Sequence, residues 1–279
     1  MNTTEFKKEI IDYINNSYDE FIEYRNIVKN ILREFHKICV NNDFTYYYAF
    51  GSLLGAIRDG DLIPWDADID VLISINDARK IIKTLVEELP NDLYVVSNFI
   101  DKNYYLCETR ICSKKYDSDI VHLDIFYLIG TPQQEGKRIR FAKKIKKVFY
   151  KRALRFQKID KGNTKKDALA YYAKKTARFF QKIKPNWIFR KECNKILFKY
   201  DFSASSYYAC WGGGAEVFPA SIFSPTITRT VGDMEAMFPN NPEEFLKIRY
   251  GNYTDYMPVS KRFEEFYDGF KNFKNSFKD

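Results

Sequence analysis

The apolar positions along the chain change period several times, and each change marks an element. Over residues 4–41 they recur at helical spacing, with Ile27, Ile31, Phe35 and Ile38 forming a stripe. This predicts a long N-terminal helix, capped at Thr3 or Thr4, that packs on a sheet and ends at Asn41-Asn42-Asp43. His36 lies off the stripe and reads as a surface or edge histidine. The aromatic run over 46–50 suits a strand. Gly51-Ser52 interrupts it, and Leu53, Leu54 and Ile57 then supply a short helical face. Residues 66–73 alternate acidic and other positions before running into Val71, Leu72 and Ile73, which predicts a strand entering a sheet. A helix follows over 76–89, with Ala78, Ile81, Ile82, Leu85 and Val86 on its apolar face. Strands are expected near 93–99, 104–113 and 121–129. Later, 217–219 and 227–231 read as short strands, Asn241-Pro242 starts a helix that stops at Gly251, and 260–275 reads as a last amphipathic helix. Strands and helices in this order predict an α+β body built in layers.

Charge adds a third region. Residues 137–199 carry 23 Lys and Arg against three acidic residues, a net of +20 in a chain whose total is +8, so the rest carries −12. An acidic body of residues 1–136 and 200–279 therefore holds a basic helical insert. Gly162-Asn163-Thr164 is expected to divide the insert into two arms, and Pro185 to begin a third. Phe141, Ile145, Leu154, Tyr172, Phe179, Ile183 and Trp187 interleave with the cations. Basic helices with aromatics on one side suit an anionic membrane surface. The same charge would attract a nucleic-acid backbone, without sequence preference, or could simply be solvated.

Other classes are disfavoured. No segment reaches membrane-spanning length free of charge, and the N-terminus has no apolar signal-peptide core. The five cysteines, 39, 107, 112, 193 and 210, show no CxxC spacing and read as thiols of a reducing cytosol. Two histidines leave zinc hydrolysis little to work with. A cytoplasmic protein is expected, or one peripheral on the inner face of the cell membrane.

The chemistry concentrates in 46–73. On a strand, Asp68 and Asp70 project to one face while Ile69 and Val71 turn to a core. Paired carboxylates repel unless a cation lies between them, and hard oxygen ligands suit Mg²⁺ or Mn²⁺. A lone DxD is commonly a solvated strand end. Here a Gly-Ser helix start precedes it, an apolar run follows it, and a third acid, Asp124, falls on another expected strand. Helix N-terminal amides at Gly51-Ser52 suit phosphate. Arg58 could add a charge-assisted contact, or pair with Asp59 or Asp61. Arg110 could reach a diphosphate, or pair with Glu108 or Asp117. His122 shares parity with Asp124 and could position a phosphate or an acceptor hydroxyl, or be a satisfied sheet histidine. Asp66 lies at the same parity as Asp68 and could contact a second metal or the substrate. The Trp211–Gly214 glycine run reads as a turn.

Gly51-Ser52-Leu53-Leu54-Gly55-Ala56-Ile57-Arg58, followed by Ile63-Pro64-Trp65-Asp66-Ala67-Asp68-Ile69-Asp70, resembles the signature of the LicD family. Asp124-Ile125-Phe126, Phe238-Pro239 and the segment Tyr250-Gly251-Asn252-Tyr253 with Pro258 are similar to its later motifs. Ser52 replaces the family's usual Thr and keeps the hydroxyl; Ala67 replaces an Asp. The family includes bacterial phosphocholine transferases and is related to the fukutin-related ribitol-phosphate transferases. The resemblance implies a nucleotidyltransferase-like mixed sheet of the DNA polymerase beta superfamily, flanked by helices. It also implies Asp68, Asp70 and Asp124 as metal and catalytic residues, with Gly51, Ser52, Arg58, Asp66, Arg110 and His122 toward substrate. The implied donor is CDP-linked (choline, ribitol or glycerol), the acceptor a glycan precursor, free or lipid-linked, and the product CMP. A nucleotidyltransferase that uses a nucleoside triphosphate, and a non-catalytic adaptor that has kept the fold, are the competing expectations.

Overall fold

A computed structural model describes residues 18–66, 68–104, 106–116, 120–155, 165–212, 215–258, 260–262 and 265; for 18, 152–153 and 165–170 it describes the backbone alone. The expected helix starts before residue 18, the insert's Gly162-Asn163-Thr164 break and most of the last helix lie outside these residues. The chain packs as two units. The first holds the described residues up to Val96, Thr109–Phe126 and those from Ser221 on; the second holds Ser97–Glu108 and Tyr127–Ala220.

In the first unit, helix α1 (Tyr18–Asn41) precedes β1 (Tyr46–Tyr48), α2 (Phe50–Arg58), β2 (Ile69–Ser74), α3 (Ala78–Glu88), β3 (Leu93–Val96) and β4 (Thr109–Ser113). Strand β5 (His122–Gly130) gives its first five residues to this unit. The sheet order is β1-β2-β5-β4-β3, with β1/β2, β3/β4 and β4/β5 antiparallel. A hairpin of β8 (Ile227–Val231) and β9 (Met234–Phe238) and helix α7 (Pro242–Tyr250) complete it. Asn241 caps α7 as its sequence promises, accepting from the Glu244 amide at 3.1 Å.

The core is where the stripe of α1 meets the sheet. Phe21, Val28, Ile31, Leu32, Phe35, Ile38 and Cys39 are buried on α1 and Tyr46, Tyr48, Val71 and Ile73 on the strands, and the Phe35 and Tyr46 rings lie 4.8 Å apart. Fully burying side chains of this size contributes about 1.5–3 kcal/mol each. The expected stripe is rotated slightly: Ile27 is only half-buried, and Tyr24, Arg25 and Lys29 occupy buried positions instead. On α3 the expected face is buried except Val86, which is 57% exposed.

Three strand expectations need correction. The first strand ends at Tyr48, because the chain has already turned into α2 at Phe50. The acidic strand begins at Ile69 and not at residue 66: a turn closed by the Asp66 amide on the Ile63 carbonyl (2.9 Å) precedes it. Strand pairing of β4 starts at Thr109, so 104–108 lie outside it.

In the second unit, Tyr127–Gly130 of β5 pairs with β6 (Tyr207–Trp211), which pairs with β7 (Val217–Pro219). Helices α4 (Glu135–Ala153), α5 (Lys165–Ile183) and α6 (Asn186–Leu197) fall between β5 and β6. Pro185 precedes α6, as expected. Phe141, Ile145, Phe189, Cys193, Ile196 and Leu197 are buried, and the Phe149 ring lies 4.9 Å from that of Trp211. All five cysteines are buried, and none is in a disulfide. Among the described residues no helix is long and apolar enough to cross a membrane.

Candidate active site

The site begins at a corner. Ala49 is extended, Phe50 adopts a left-handed φ of 47°, and α2 starts at once. A bulky residue is disfavoured there. Packing holds it: Phe126 and Phe245 lie 5.4 and 6.2 Å from the Phe50 ring, and the Arg249 guanidinium sits over it at 5.0 Å. The corner is stitched to β2 on both sides of Asp70. The Ala49 amide donates to the Asp70 carbonyl (3.1 Å), and the Asp70 amide donates to Ser52 Oγ (2.8 Å). Ser52 is buried, and its hydroxyl keeps a hydrogen to donate. Gly51 lacks the Cβ that would stand 3.4 Å from Asp66 Oδ2, so the Asp66 carboxylate lies against the first turn of α2. Negative charge is favoured at that end of a helix.

The loop that delivers the acids is fixed from α1. The buried Arg25 donates to the carbonyls of Ile63 (2.8 Å), Asp66 (3.0 Å) and Leu62 (3.4 Å). Lys29 Nζ donates to Asp61 Oδ2 at 2.7 Å. Burial pushes the Asp61 carboxyl up, but the bond and charge of Lys29, the Leu62 amide and Arg25 outweigh it and hold the group below its ordinary range. The hairpin turn closes on the same loop. The Gly232 amide donates to the Gly60 carbonyl (2.8 Å), and any Cβ on Gly232 would meet the Asp61 carboxyl at 2.9–3.0 Å. Asp233 pairs with Arg33 at 2.6 Å. Gly55 is also required by approach: a Cβ there would lie 2.4 Å from the Ile63 amide nitrogen. Arg25, Lys29 and Tyr24 were not found from the sequence. The available signal was two cations, four apart, in register with the buried stripe.

Asp66 lies in the turn, Asp68 is exposed just before β2, and Asp70 is half-buried on it. The Tyr24 hydroxyl, which donates to the Ile120 carbonyl at 2.8 Å, reports on the neighbourhood. Its pKa is raised by burial first, then by the fields of Asp68, Asp66 and Asp124. Tyr250 is raised by burial, with Asp70 and Asp66 adding to it. The four carboxylates thus act on two hydroxyls of one unit. No three acidic, histidine or cysteine side chains among the described residues converge at metal-ligand spacing.

Asp124 has its own partners. It stands opposite Arg110 in the β4/β5 register, and Arg110 Nε donates to its Oδ1 at 2.8 Å. His122 Nε2 lies 3.5 Å from Oδ2. Burial pushes Asp124 up, while the bonds and charges of His122 and Arg110 leave it below the usual carboxylate range. His122 Nδ1 is buried with no hydrogen-bond partner among the described residues. Arg110 thus pairs across the sheet with Asp124, a partner not among those expected for it; Glu108 accepts from the Cys107 amide, and Asp117 lies outside the described residues. Arg58 is held by Asp59 at 2.9 Å, one of the partners expected, and its guanidinium lies 4.1 Å over the Tyr256 ring.

Comparison with known proteins accords with this arrangement. The nucleotidyltransferase domain described as LicD/FKTN/FKRP matches residues 43–160, from just before β1 to beyond α4. The chain is also similar to the lipopolysaccharide cholinephosphotransferase LicD of Haemophilus influenzae, 24% identical over 257 residues, with 85% of this chain and 92% of the relative covered. The glycine-serine corner, the acids delivered after it and the carboxylate on β5 all fall inside the matched domain, and both similarities support a LicD-type phosphotransferase.

Proposed function

We propose that the protein transfers a phospho-alcohol group, phosphocholine-like or a polyol phosphate, from a CDP-linked donor to a hydroxyl of a cell-surface glycan precursor, releasing CMP. The observation that carries this reading is the joint between Ser52 Oγ and the Asp70 amide, which sets a helix start beside Asp66, Asp68 and Asp70. The relative's own name, a lipopolysaccharide cholinephosphotransferase, supports both the group transferred and a glycan acceptor.

The residues divide the work. The first-turn amides of α2 and the Ser52 hydroxyl are donors suited to diphosphate oxygens. Asp68 and Asp70 would hold Mg²⁺ or Mn²⁺; the exposed Asp68, the half-buried Asp70 and the Asp66 carboxylate against the first turn of α2 supply the hard oxygen donors such a cation takes. When bound, such an ion would supply electrostatic stabilisation of charge on the diphosphate. The acceptor oxygen bonds to the phosphorus that carries the alcohol, the bridging P–O bond breaks, CMP departs, and the hydroxyl proton passes to solvent. Asp124, kept ionised by Arg110 and His122, is a weak base. It serves better as a ligand or as the partner that orients Arg110. Arg58, braced by Asp59, contributes positive charge beside the acid-bearing loop.

The test is CMP release from a radiolabelled CDP-alcohol with Mg²⁺ and envelope glycans. Asp68→Ala and Asp70→Ala should each lose on the order of 10²–10³-fold in rate. Equal release by wild type and both variants would defeat the assignment. The matched domain's description favours one rival, transfer from a nucleoside triphosphate. Pyrophosphate release with a triphosphate, and none of CMP with any CDP-alcohol, would select it.

A further inference from the structure

Residues 171–191 leave large apolar side chains in solvent. Tyr172, Phe179, Phe180 and Ile183 on α5 and Trp187 on α6 are each 56–61% exposed. At the helical repeat, Tyr172, Thr176, Phe179 and Ile183 line one stripe of α5, with Phe180 beside it. Lys175, Arg178 and Lys182 run along the opposite flank of that stripe. From Ala168 to Lys191 the sequence has no acidic residue. Lys184 reaches forward to Glu192 at 2.7 Å, while Lys174, Lys175 and Lys182 are exposed.

We propose that this face of α5 seats the protein on an anionic lipid bilayer. Phe179, Phe180 and Ile183 enter the boundary between headgroups and acyl chains, and the flanking cations meet acidic headgroups. The helix is not apolar enough to span, which suits a helix that lies in the interface plane. Charge selects the occupant. A second copy would bring like-signed flanks together. A single-stranded nucleic acid would want open ring faces, but the Phe179 and Phe180 rings meet at 74°, edge to face, and Ile183 has no ring.

The experiment is co-sedimentation of the full chain with phosphatidylcholine vesicles, with or without about one-third phosphatidylglycerol. Binding is expected to the acidic vesicles alone and to weaken with salt. The triple variant Phe179→Ala/Phe180→Ala/Ile183→Ala should lose about tenfold or more in partitioning, and so should Lys175→Glu/Lys182→Glu. Both variants should keep the wild-type melting temperature and turnover of a water-soluble acceptor, which separates failure here from failure of the proposed reaction. Four results would overturn the proposal: equal binding to neutral vesicles, wild-type binding by the triple variant, preference for an RNA oligonucleotide over acidic vesicles in competition, or a dimer that the triple variant disperses.

Discussion

Between Asp59 and Asp66, two acids and the loop's backbone are matched by cations: Asp59 by Arg58, Asp61 by Lys29 and Arg25, and the carbonyls of Leu62, Ile63 and Asp66 by Arg25 again. Between Tyr171 and Lys191, cations stand among exposed rings with no acid in the intervening sequence. The two regions use charge for different ends. In the first, partly buried pairs and charge-assisted hydrogen bonds fix a loop, because an unmatched buried charge is costly. In the second, solvated cations cost little to leave unpaired, so they are free to meet an external anion. Position is specified where charge is matched inside the molecule, and affinity for a surface where it is not.

The contrast breaks first at Gly55. Gly55→Ala would drive a Cβ into backbone atoms of Asp61, Leu62 and Ile63, which no rotamer change relieves. A loss of about 3 kcal/mol is expected by chemical denaturation, with turnover falling alongside. Arg25→Met comes next, at about 2 kcal/mol, since it strands three carbonyls that the guanidinium now satisfies. If Arg25→Met kept full stability and full activity, the loop would not depend on α1.

A smaller effect is read in acid. The folded Asp61 carboxyl titrates below its unfolded value, so its contribution is complete above about pH 4 and is lost as pH falls through the lower folded pKa. Lys29→Met should flatten that part of the stability profile. The change should be on the order of 1 kcal/mol or less, because the Asp61 side chain is still 34% exposed. Smallest of all, Phe179→Ala should alter stability by no more than about 0.5 kcal/mol, as expected for a side chain that supports nothing inside the fold. A larger loss would mean that the basic helices are packed where they are described as exposed.

Much of this was legible from residue order. Local signals gave the glycine-serine corner, the α7 cap at Asn241, the Pro185 break and the alternation that buries Ile69 and Val71 around Asp70. Those features depend on neighbours within a few positions. The partners of the site were not legible, for a physical reason. Arg25 and Ile63 are 38 residues apart, and Arg110 and Asp124 meet only through the strand register. Periodicity places a residue on a face but does not say what stands opposite. The aromatic run 46–50 predicts a strand through Phe50; the left-handed turn at that phenylalanine is held by Phe126, Phe245 and Arg249 from elsewhere in the chain.

The central claim is that the corner at Gly51-Ser52 and the carboxylates of Asp68 and Asp70 take a nucleotide diphosphate together with a divalent cation. Thermal unfolding with CDP-choline, CDP-ribitol or CDP-glycerol, each with and without Mg²⁺, tests it most directly. One of these ligands at roughly a hundred times its Kd should add about 2.7 kcal/mol of stability, only with the metal present, and the gain should vanish in Asp70→Asn. A shift that is the same without the metal, or that survives in Asp70→Asn, would contradict it.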